Sequence, residues 1–217
     1  MKLYLYDHCP FCVKARMIFG LTETVVDEVY LLNDDEQTPI RMIGAKMLPI
    51  LQKDDATFMP ESMDIVRYID QLTGRQSIFR RPSQAVIAEW VSTAFKLTHP
   101  LVMPRTIQYT NFPEFATQGA KDYFQQNKEK MIGSFAQAWQ QTPELIQQLM
   151  PHLEQLEKLI QSPDAIHGER SEDDLHVFAV LRCLSLTKGI TYPAKVSAFM
   201  QRLSVLSKVP LLWDKAL

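Results

Sequence analysis

Two cysteines with two residues between them, Cys9-Pro10-Phe11-Cys12, stand near the start of the chain. Thiols at this spacing have three uses: half of a four-ligand zinc site, inert packing, or reversible disulfide exchange. Zinc needs two more ligands, and the sequence offers only one further cysteine, Cys183, with no paired histidines and no second Cys-x-x-Cys. Cys183 reads as a small buried apolar residue. Exchange chemistry is the use these residue types favour. It requires a thiolate, so the surroundings of the first sulfur decide its reactivity.

Those surroundings follow from the flanking elements. Lys2-Leu3-Tyr4-Leu5-Tyr6 predicts a strand, and Val13 to Phe19 predicts a helix with Gly20 as its C-terminal cap. Pro10 falls at the first helical position, where its missing N–H costs nothing. Cys9 is then the N-cap residue, its sulfur beside unpaired backbone N–H groups and the positive end of the helix dipole. Such a setting can lower a cysteine pKa from about 8.5 into the range of roughly 3.5–7.5.

Bulk composition narrows the class. The chain has 217 residues, 46% of them hydrophobic, enough for one large or two small domains with a core that needs no disulfide staples. A net charge of −2 and a pI near 6.2 argue against nucleic-acid or polybasic membrane roles. Three cysteines with one obvious pair fit a reducing compartment. The first residues read as a strand rather than a secretory leader, and no apolar run is long enough to span a bilayer. A soluble, cytoplasmic protein is expected.

Thr24 to Leu32 predicts a second strand, parallel to the first, giving a right-handed strand–helix–strand unit. Thr38 and Pro39 offer an N-cap and a first-turn proline for a short helix ending at Gly44. Pro49 reads by default as a trans residue at a strand start. Were the Leu48–Pro49 bond cis, the backbone of Leu48 would turn outward towards an extended peptide. Ile50 to Lys53 and Thr57 to Met59 predict a hairpin. Pro60-Glu61-Ser62 opens a helix with Ile65, Ile69 and Leu72 inward, closed near Gly74. Glu61-Ser62 has two readings. One is simple capping. In the other, the helix N–H groups and the Ser62 hydroxyl bind a ligand carboxylate while Glu61 accepts from an ammonium.

With this element order, the first third of the chain resembles the thioredoxin-fold glutaredoxins. Proline directly after the first cysteine is their pattern, and Leu48-Pro49 falls where they carry a cis-proline. Glu61-Ser62 matches the acidic-serine pair with which glutathione transferases hold the γ-glutamyl end of glutathione. The resemblance implies a thioredoxin-fold domain over residues 1–74 and a glutathione site built from Leu48, Pro49, Glu61 and Ser62. Phe11 departs from the family's usual tyrosine, losing a hydroxyl but keeping the ring. Asp7-His8 stands where small glutaredoxins often place a basic residue. A nearby Asp7 would oppose the thiolate, and the helix dipole with Lys14 or Arg16 would have to outweigh it.

Residues 75–83 are polar and basic and predict a linker; residues 84–217 read as helical almost throughout. Trp90 to Leu97 carries a helical pattern, interrupted at Pro100 and Pro104. Asn111 with Glu114 three residues on suggests a capped helix running towards Trp139, with Phe124, Met131 and Phe135 inward. Thr142-Pro143 starts another, striped by Leu145, Leu149, Leu153, Leu156 and Ile160 and stopped by Pro163. Ser171 and Asp174 have capping-box spacing before an apolar helix ending near Leu184, expected to be the buried centre. His99 and His176 read as ordinary structural residues. That box matches the one opening the central helix of glutathione transferases. The whole chain therefore resembles bacterial glutaredoxins of glutathione-transferase-like shape: an α/β thioredoxin-fold domain followed by an all-α domain.

The resemblance implies a glutathione-dependent thiol–disulfide oxidoreductase acting on glutathione mixed disulfides and protein disulfides. Cys9 would be the nucleophile and Cys12 the resolving thiol, with Pro10 and Phe11 shaping the loop. Glutathione would be a co-substrate, with no tightly bound cofactor and no metal. Lys14, Arg16 or Arg41 would meet the glycyl carboxylate, and the chain would be a monomer. Three alternatives stand beside this one. A conjugating glutathione transferase wants a Tyr or Ser hydroxyl where this chain has cysteine. A non-catalytic transferase-shaped binding module would need neither thiol. Iron–sulfur binding between subunits is disfavoured by the stiff Pro10 loop.

Overall fold

Alternating apolar residues over Lys2–Leu5 (β1) bury Leu3 and Leu5 completely while Lys2 faces out, the period-two pattern of a strand with one covered face. The structure, a computed structural model, describes residues 1–72, 76–109 and 111–217. After β1 come α1 (Pro10–Leu21), β2 (Asp27–Tyr30), α2 (Gln37–Ile43), β3 (Ile50–Gln52), β4 (Phe58–Pro60) and α3 (Ser62–Leu72). The sheet order is β2-β1-β3-β4. β2 runs parallel to β1, with Leu3 opposite Glu28, and β3 antiparallel, with Leu3 opposite Leu51. β3 and β4 form the expected antiparallel pair, with Leu51 opposite Met59. α1 packs on α3 and also against two helices of the second half.

Several local expectations needed correction. Gly20 does not cap α1; the helix continues to Leu21 and ends at Thr22. Glycine is required for close approach instead: a Cβ on Gly20 would lie 1.9 Å from the carbonyl oxygen of Ser207. β2 is shorter than predicted, because the Thr24 N–H is taken by the Phe19 carbonyl in the turn leaving α1. Thr38 lies inside α2, donating its N–H to Asp35 Oδ1 at 3.0 Å, and Glu36 is the N-cap. Gly44, with φ 78°, ends that helix as expected. The Leu48–Pro49 bond is cis. Ile65 and Ile69 are buried, but Leu72 is exposed. The predicted closure at Gly74 and the first linker residue lie outside the described residues.

The second half consists of α4 (Ala85–Thr106), α5 (Gln118–Ile132), α6 (Phe135–Gln140), α7 (Thr142–Leu159), α8 (Glu172–Leu184) and α9 (Ala194–Ser207), with short 3-10 turns at Pro113–Phe115 and Trp213–Lys215. α4 runs straight through Pro100 and Pro104, against expectation. Each proline removes a backbone donor, but the helix is packed against α6, α7 and α8. Side-chain bonds also brace it: Thr98 Oγ1 donates to the Ala94 carbonyl at 2.8 Å and Arg105 Nη1 to the Leu101 carbonyl at 2.6 Å. Asn111 does not open a helix. α5 begins after Thr117, whose hydroxyl accepts the Ala120 N–H at 3.1 Å, and it stops at Gly133, φ 80°, so α6 is separate. Phe124 and Phe135 are buried, whereas Met131 is 53% exposed.

Leu149, Leu153 and Leu156 form the buried stripe of α7. α8 is the buried centre the sequence implied. Asp174 Oδ2 accepts the Ser171 N–H at 2.8 Å, and its Oδ1 accepts the Ile166 N–H at 2.7 Å. α1 lies against α8 and α9, so the sheet-bearing half and the helical half meet along the helix that carries both cysteines.

Candidate active site

Cys9 occupies the N-cap of α1 in an extended conformation (φ −79°, ψ 122°), and its carbonyl accepts the Val13 N–H at 2.9 Å. Cys12, one turn on, is fully buried, and its sulfur accepts the Tyr6 N–H at 3.4 Å. Cys9, Cys12 and Cys183 are all free thiols. They differ sharply in acidity. The Cys12 thiol donates to Cys9 and is the largest influence lowering the Cys9 pKa to about 6; burial opposes this, and His8 and the N–H groups of Cys12 and Phe11 assist. Burial, followed by the bond to Cys9, pushes Cys12 well above the ordinary thiol range. Burial likewise raises Cys183 to about 12. A pKa of about 6 leaves roughly nine-tenths of Cys9 as thiolate at pH 7, against a few per cent for an ordinary thiol.

Asp7 does not work against that thiolate, because its charge is already matched. Its Oδ1 accepts from Arg16 Nη1 and from Arg182 Nη2, both at 2.7 Å. Arg182 Nη1 also donates to the Asp7 carbonyl at 2.5 Å and Arg182 Nε to the Pro210 carbonyl at 2.8 Å. Burial alone would raise Asp7, but the two guanidiniums hold its carboxyl below the usual range. Arg182 is fully buried on α8, and nothing in the sequence pattern marked it.

The three cations expected to meet a glycyl carboxylate fare differently. Arg16 is committed to Asp7 and, at 2.9 Å, to Glu28. Arg41 donates to Thr38 Oγ1 on its own helix. Lys14 is buried, with Nζ 3.4 Å from His176 Nδ1 and 4.6 Å from the centre of the Phe11 ring. Burial lowers the Lys14 pKa, partly offset by the charges of Cys9, Glu61 and Glu172. His176 thus has a place beside the site through Lys14.

Two cavities flank Cys9. One, of about 270 Å³, is mostly apolar and runs from Cys9 and Phe11 to His99, Met103, Met131 and Cys183. The other, of about 340 Å³, is bordered by Cys9, Leu48, Tyr6, Lys46, Tyr123 and Lys128. His8, Cys9, Phe124 and Lys128 border both. Of the residues predicted to hold glutathione, Leu48 lines the second cavity. Pro49, Glu61 and Ser62 line neither. Ser62 is buried at the first position of α3, preceded by exposed Glu61 in the left-handed region at φ 68°. A non-glycine residue there costs of order 1–3 kcal/mol and persists where the surroundings demand it, often at ligand sites.

The sequence reading missed Lys46, Lys128 and Glu114. Lys46 Nζ donates to the Asn33 carbonyl at 2.6 Å and sits 3.8 Å over the Tyr123 ring. Glu114, read as a helix-capping residue, is instead wholly buried and accepts from the His8 backbone N–H at 2.9 Å and from His8 Nδ1 at 2.6 Å. Its position between Phe112 and Phe115 was the available signal, since a lone carboxylate in an aromatic stretch needs a partner. Among the described residues, no cluster of three or more His, Cys, Asp or Glu side chains could hold a metal ion.

Comparison with known proteins agrees with this architecture. A family model described as "Glutaredoxin 2, C terminal domain" matches residues 86–216, and one described as "Glutathione S-transferase, N-terminal domain" matches residues 3–77. Glutaredoxin 2 of Escherichia coli K12 is 44% identical over 217 residues, covering 100% of both chains. The crystal structure of glutaredoxin 2 from Salmonella typhimurium in complex with glutathione superposes with a TM-score of 0.96 at 45% identity, covering 100% of this chain and 98% of that one. A glutathione S-transferase of Ceriporiopsis subvermispora shares the fold at a TM-score of 0.67 and 13% identity, with 96% of each chain covered. The chain belongs to the glutaredoxin 2 family, glutathione-dependent thiol–disulfide oxidoreductases built on the glutathione-transferase plan.

Proposed function

We propose that this chain reduces glutathione mixed disulfides and protein disulfides through Cys9 and Cys12, with glutathione as co-substrate. The observation that carries the reading is the division between the two thiols. Cys9, at the helix N-terminus and bordering both cavities, has a pKa of about 6; Cys12, buried behind it, is held protonated and donates to it. A low-pKa thiol is both available as nucleophile and good as leaving group. Cys9 attacks the glutathione sulfur of a mixed disulfide, the substrate thiolate departs, and a second glutathione releases oxidised glutathione. With a protein disulfide, Cys12 attacks the Cys9 mixed disulfide, giving a Cys9–Cys12 disulfide that glutathione reduces.

Glutathione binds along the second cavity. Leu48 meets its peptide backbone beside Pro49, and the N-terminal N–H groups of α3 with Ser62 take the γ-glutamyl carboxylate. Glu61 takes the ammonium. Lys46 and Lys128 replace Arg16 and Arg41 as the cations for the glycyl carboxylate, because they border the cavity that Leu48 and Cys9 share. Residues 1–74 form the redox domain, 75–83 the linker and 84–217 the helical domain. The protein works as a monomer in the cytoplasm, where three free thiols persist.

A conjugating transferase would need a hydroxyl that polarises the glutathione thiol. Tyr6, the nearest in sequence, donates its O–H to the Leu32 carbonyl at 3.5 Å, and burial raises its pKa. Paired assays separate the readings: glutathione-dependent reduction of a hydroxyethyl mixed disulfide against conjugation of an electrophilic aromatic. The proposal predicts activity in the first; activity in the second alone would overturn it.

A further inference from the structure

The helical half supplies one carboxylate to the neighbourhood of Cys9, and it reaches there through a histidine. Glu114 is 0% exposed. Its Oε1 takes both the backbone N–H and Nδ1 of His8, while its Oε2 is buried with no hydrogen-bond partner. Nδ1 carries the hydrogen it shares, because the Glu114 carboxyl, held below the usual range, is ionised and can only accept. Burial would raise the Glu114 carboxyl, but the hydrogen bonds and charge of His8 override it and hold it below the usual range. Both hydrogen-bond donors to this buried anion belong to His8, its backbone N–H and Nδ1–H.

The ring is fixed in place. It stacks on Tyr6, with centroids 5.6 Å apart and planes at 18°, and lies 5.0 Å from the Phe115 ring and 5.2 Å from Phe124. With Nδ1 committed to Glu114, Nε2 is the nitrogen left for exchange. His8 borders both cavities together with Cys9. The other titratable groups around it are the Tyr6 phenol, the Cys9 and Cys12 thiols of α1, and Cys183 of α8, whose thiol donates to the His8 carbonyl at 3.6 Å. Lys46 and Lys128 border the second cavity and His99 of α4 the first, so the anions facing the ring are Glu114 at Nδ1 and the Cys9 thiolate, whose acidity His8 assists.

We propose that His8, oriented by Glu114, is the proton shuttle of the exchange reaction. This rests on the glutaredoxin reading above. In the first step Cys9 Sγ bonds to the glutathione sulfur, and the departing substrate sulfur takes the electron pair of the old disulfide. His8 Nε2–H gives that sulfur its proton, so a neutral thiol leaves and His8 becomes neutral. In the second step glutathione enters as a thiol and returns a proton to Nε2. Its thiolate then attacks the glutathionylated Cys9 and leaves as oxidised glutathione with Cys9 as thiolate. The proton lost by glutathione is the one the substrate gained, and no outside oxidant or reductant is needed. Glu114 is a positioning residue, acting only through His8.

The test compares leaving groups. Glutathione mixed disulfides of an alkyl thiol and of a nitrated aromatic thiol are reduced by the wild type, H8Q and E114Q, with folding checked by circular dichroism. An alkyl thiolate is a poor leaving group that needs the proton; an aromatic thiolate leaves without it. The step read is the single-turnover glutathionylation of Cys9 without added glutathione, where His8 acts only as the acid; there H8Q is expected to lose on the order of 100-fold with the alkyl substrate, in the range of general-acid contributions, and to stay within about threefold of the wild type, half a decade, with the aromatic one. E114Q keeps a hydrogen-bond acceptor for Nδ1 but removes the charge, so the alkyl substrate should slow more than the aromatic one in the same step. In that step, equal slowing of both substrates in H8Q, no slowing of either, or no selective loss of the alkyl rate in E114Q would overturn the shuttle. Should H8Q fail to fold, the leaving-group comparison in E114Q decides alone. A wild type inactive on both substrates would strike the glutaredoxin reading beneath it instead.

Discussion

Arg182, wholly buried on α8, closes on Asp7 from the other half of the molecule, donating to its carbonyl at 2.5 Å and to its carboxylate at 2.7 Å. The residue that precedes the His8-Cys9 pair is therefore anchored to the central helix of the other half. Asp7 is also matched by Arg16, so the negative charge nearest the motif in sequence is spent on structure rather than on opposing the Cys9 thiolate.

Arg182→Met should destabilise the fold by roughly 3 kcal/mol, the low end for breaking a buried ion pair, because Arg16 still holds Asp7. The Asp7 carboxyl is held below its ordinary range, so its contribution is fully present above the unfolded pKa of about 3.9 and is lost as pH falls through the lower folded value. Urea unfolding of the wild type below about pH 4 should show that loss, and Arg182→Met should show less of it. A variant as stable as the wild type would contradict the anchoring role.

The parts of the site that were legible in the sequence are those fixed within a few residues. Pro10 set the start of α1 and so made Cys9 the N-cap, and Ser171 with Asp174 opened α8 at box spacing. The unreadable parts are pairings across the molecule: Glu114 lies 106 positions from His8, and Arg182 lies 175 from Asp7. No spacing rule connects such residues, because helix packing, not local geometry, brings them together. The same reason explains α4. Local rules broke it at Pro100 and Pro104, whereas packing on three neighbouring helices carries it through. Gly20 was misread as a cap for want of any sign that the end of α9 would press on it.

Gly20→Ala tests that contact. The new methyl would sit 1.9 Å from Ser207 O and 2.3 Å from Ser207 C, both backbone atoms that cannot rotate away. Overpacking usually costs about 1–3 kcal/mol, and a backbone clash belongs at the upper end. Chemical unfolding should report the loss; an unchanged midpoint would show that α9 yields freely.

The hydrogen bond from Cys12 can be separated from the rest of the Cys9 environment. Cys12→Ala removes the donor, whereas Cys12→Ser keeps an O–H in its place. The pH midpoint for alkylation of Cys9 by iodoacetamide, about 6 in the wild type, should rise clearly in Cys12→Ala and less in Cys12→Ser. Identical midpoints in all three would remove Cys12 as the main cause of the acidity.

The proposed γ-glutamyl contact predicts a binding defect more than a chemical one. Ser62→Ala removes one hydrogen bond to a charged group, worth roughly 1.5 kcal/mol or about tenfold in binding. KM for a glutathione mixed disulfide should rise by that factor with kcat little changed. Lys46→Met should behave in the same way at the glycyl end. A fall in kcat without a rise in KM would place these residues elsewhere in the mechanism.

The central claim is the division of labour between the two thiols, and the most direct measurement compares Cys9→Ser with Cys12→Ser on one small glutathione mixed disulfide. Cys9→Ser should be inactive on every substrate. Cys12→Ser should still reduce the small mixed disulfide, while losing the intramolecular route for protein disulfides. Equal loss of activity in the two variants, or survival of Cys9→Ser, would contradict the account.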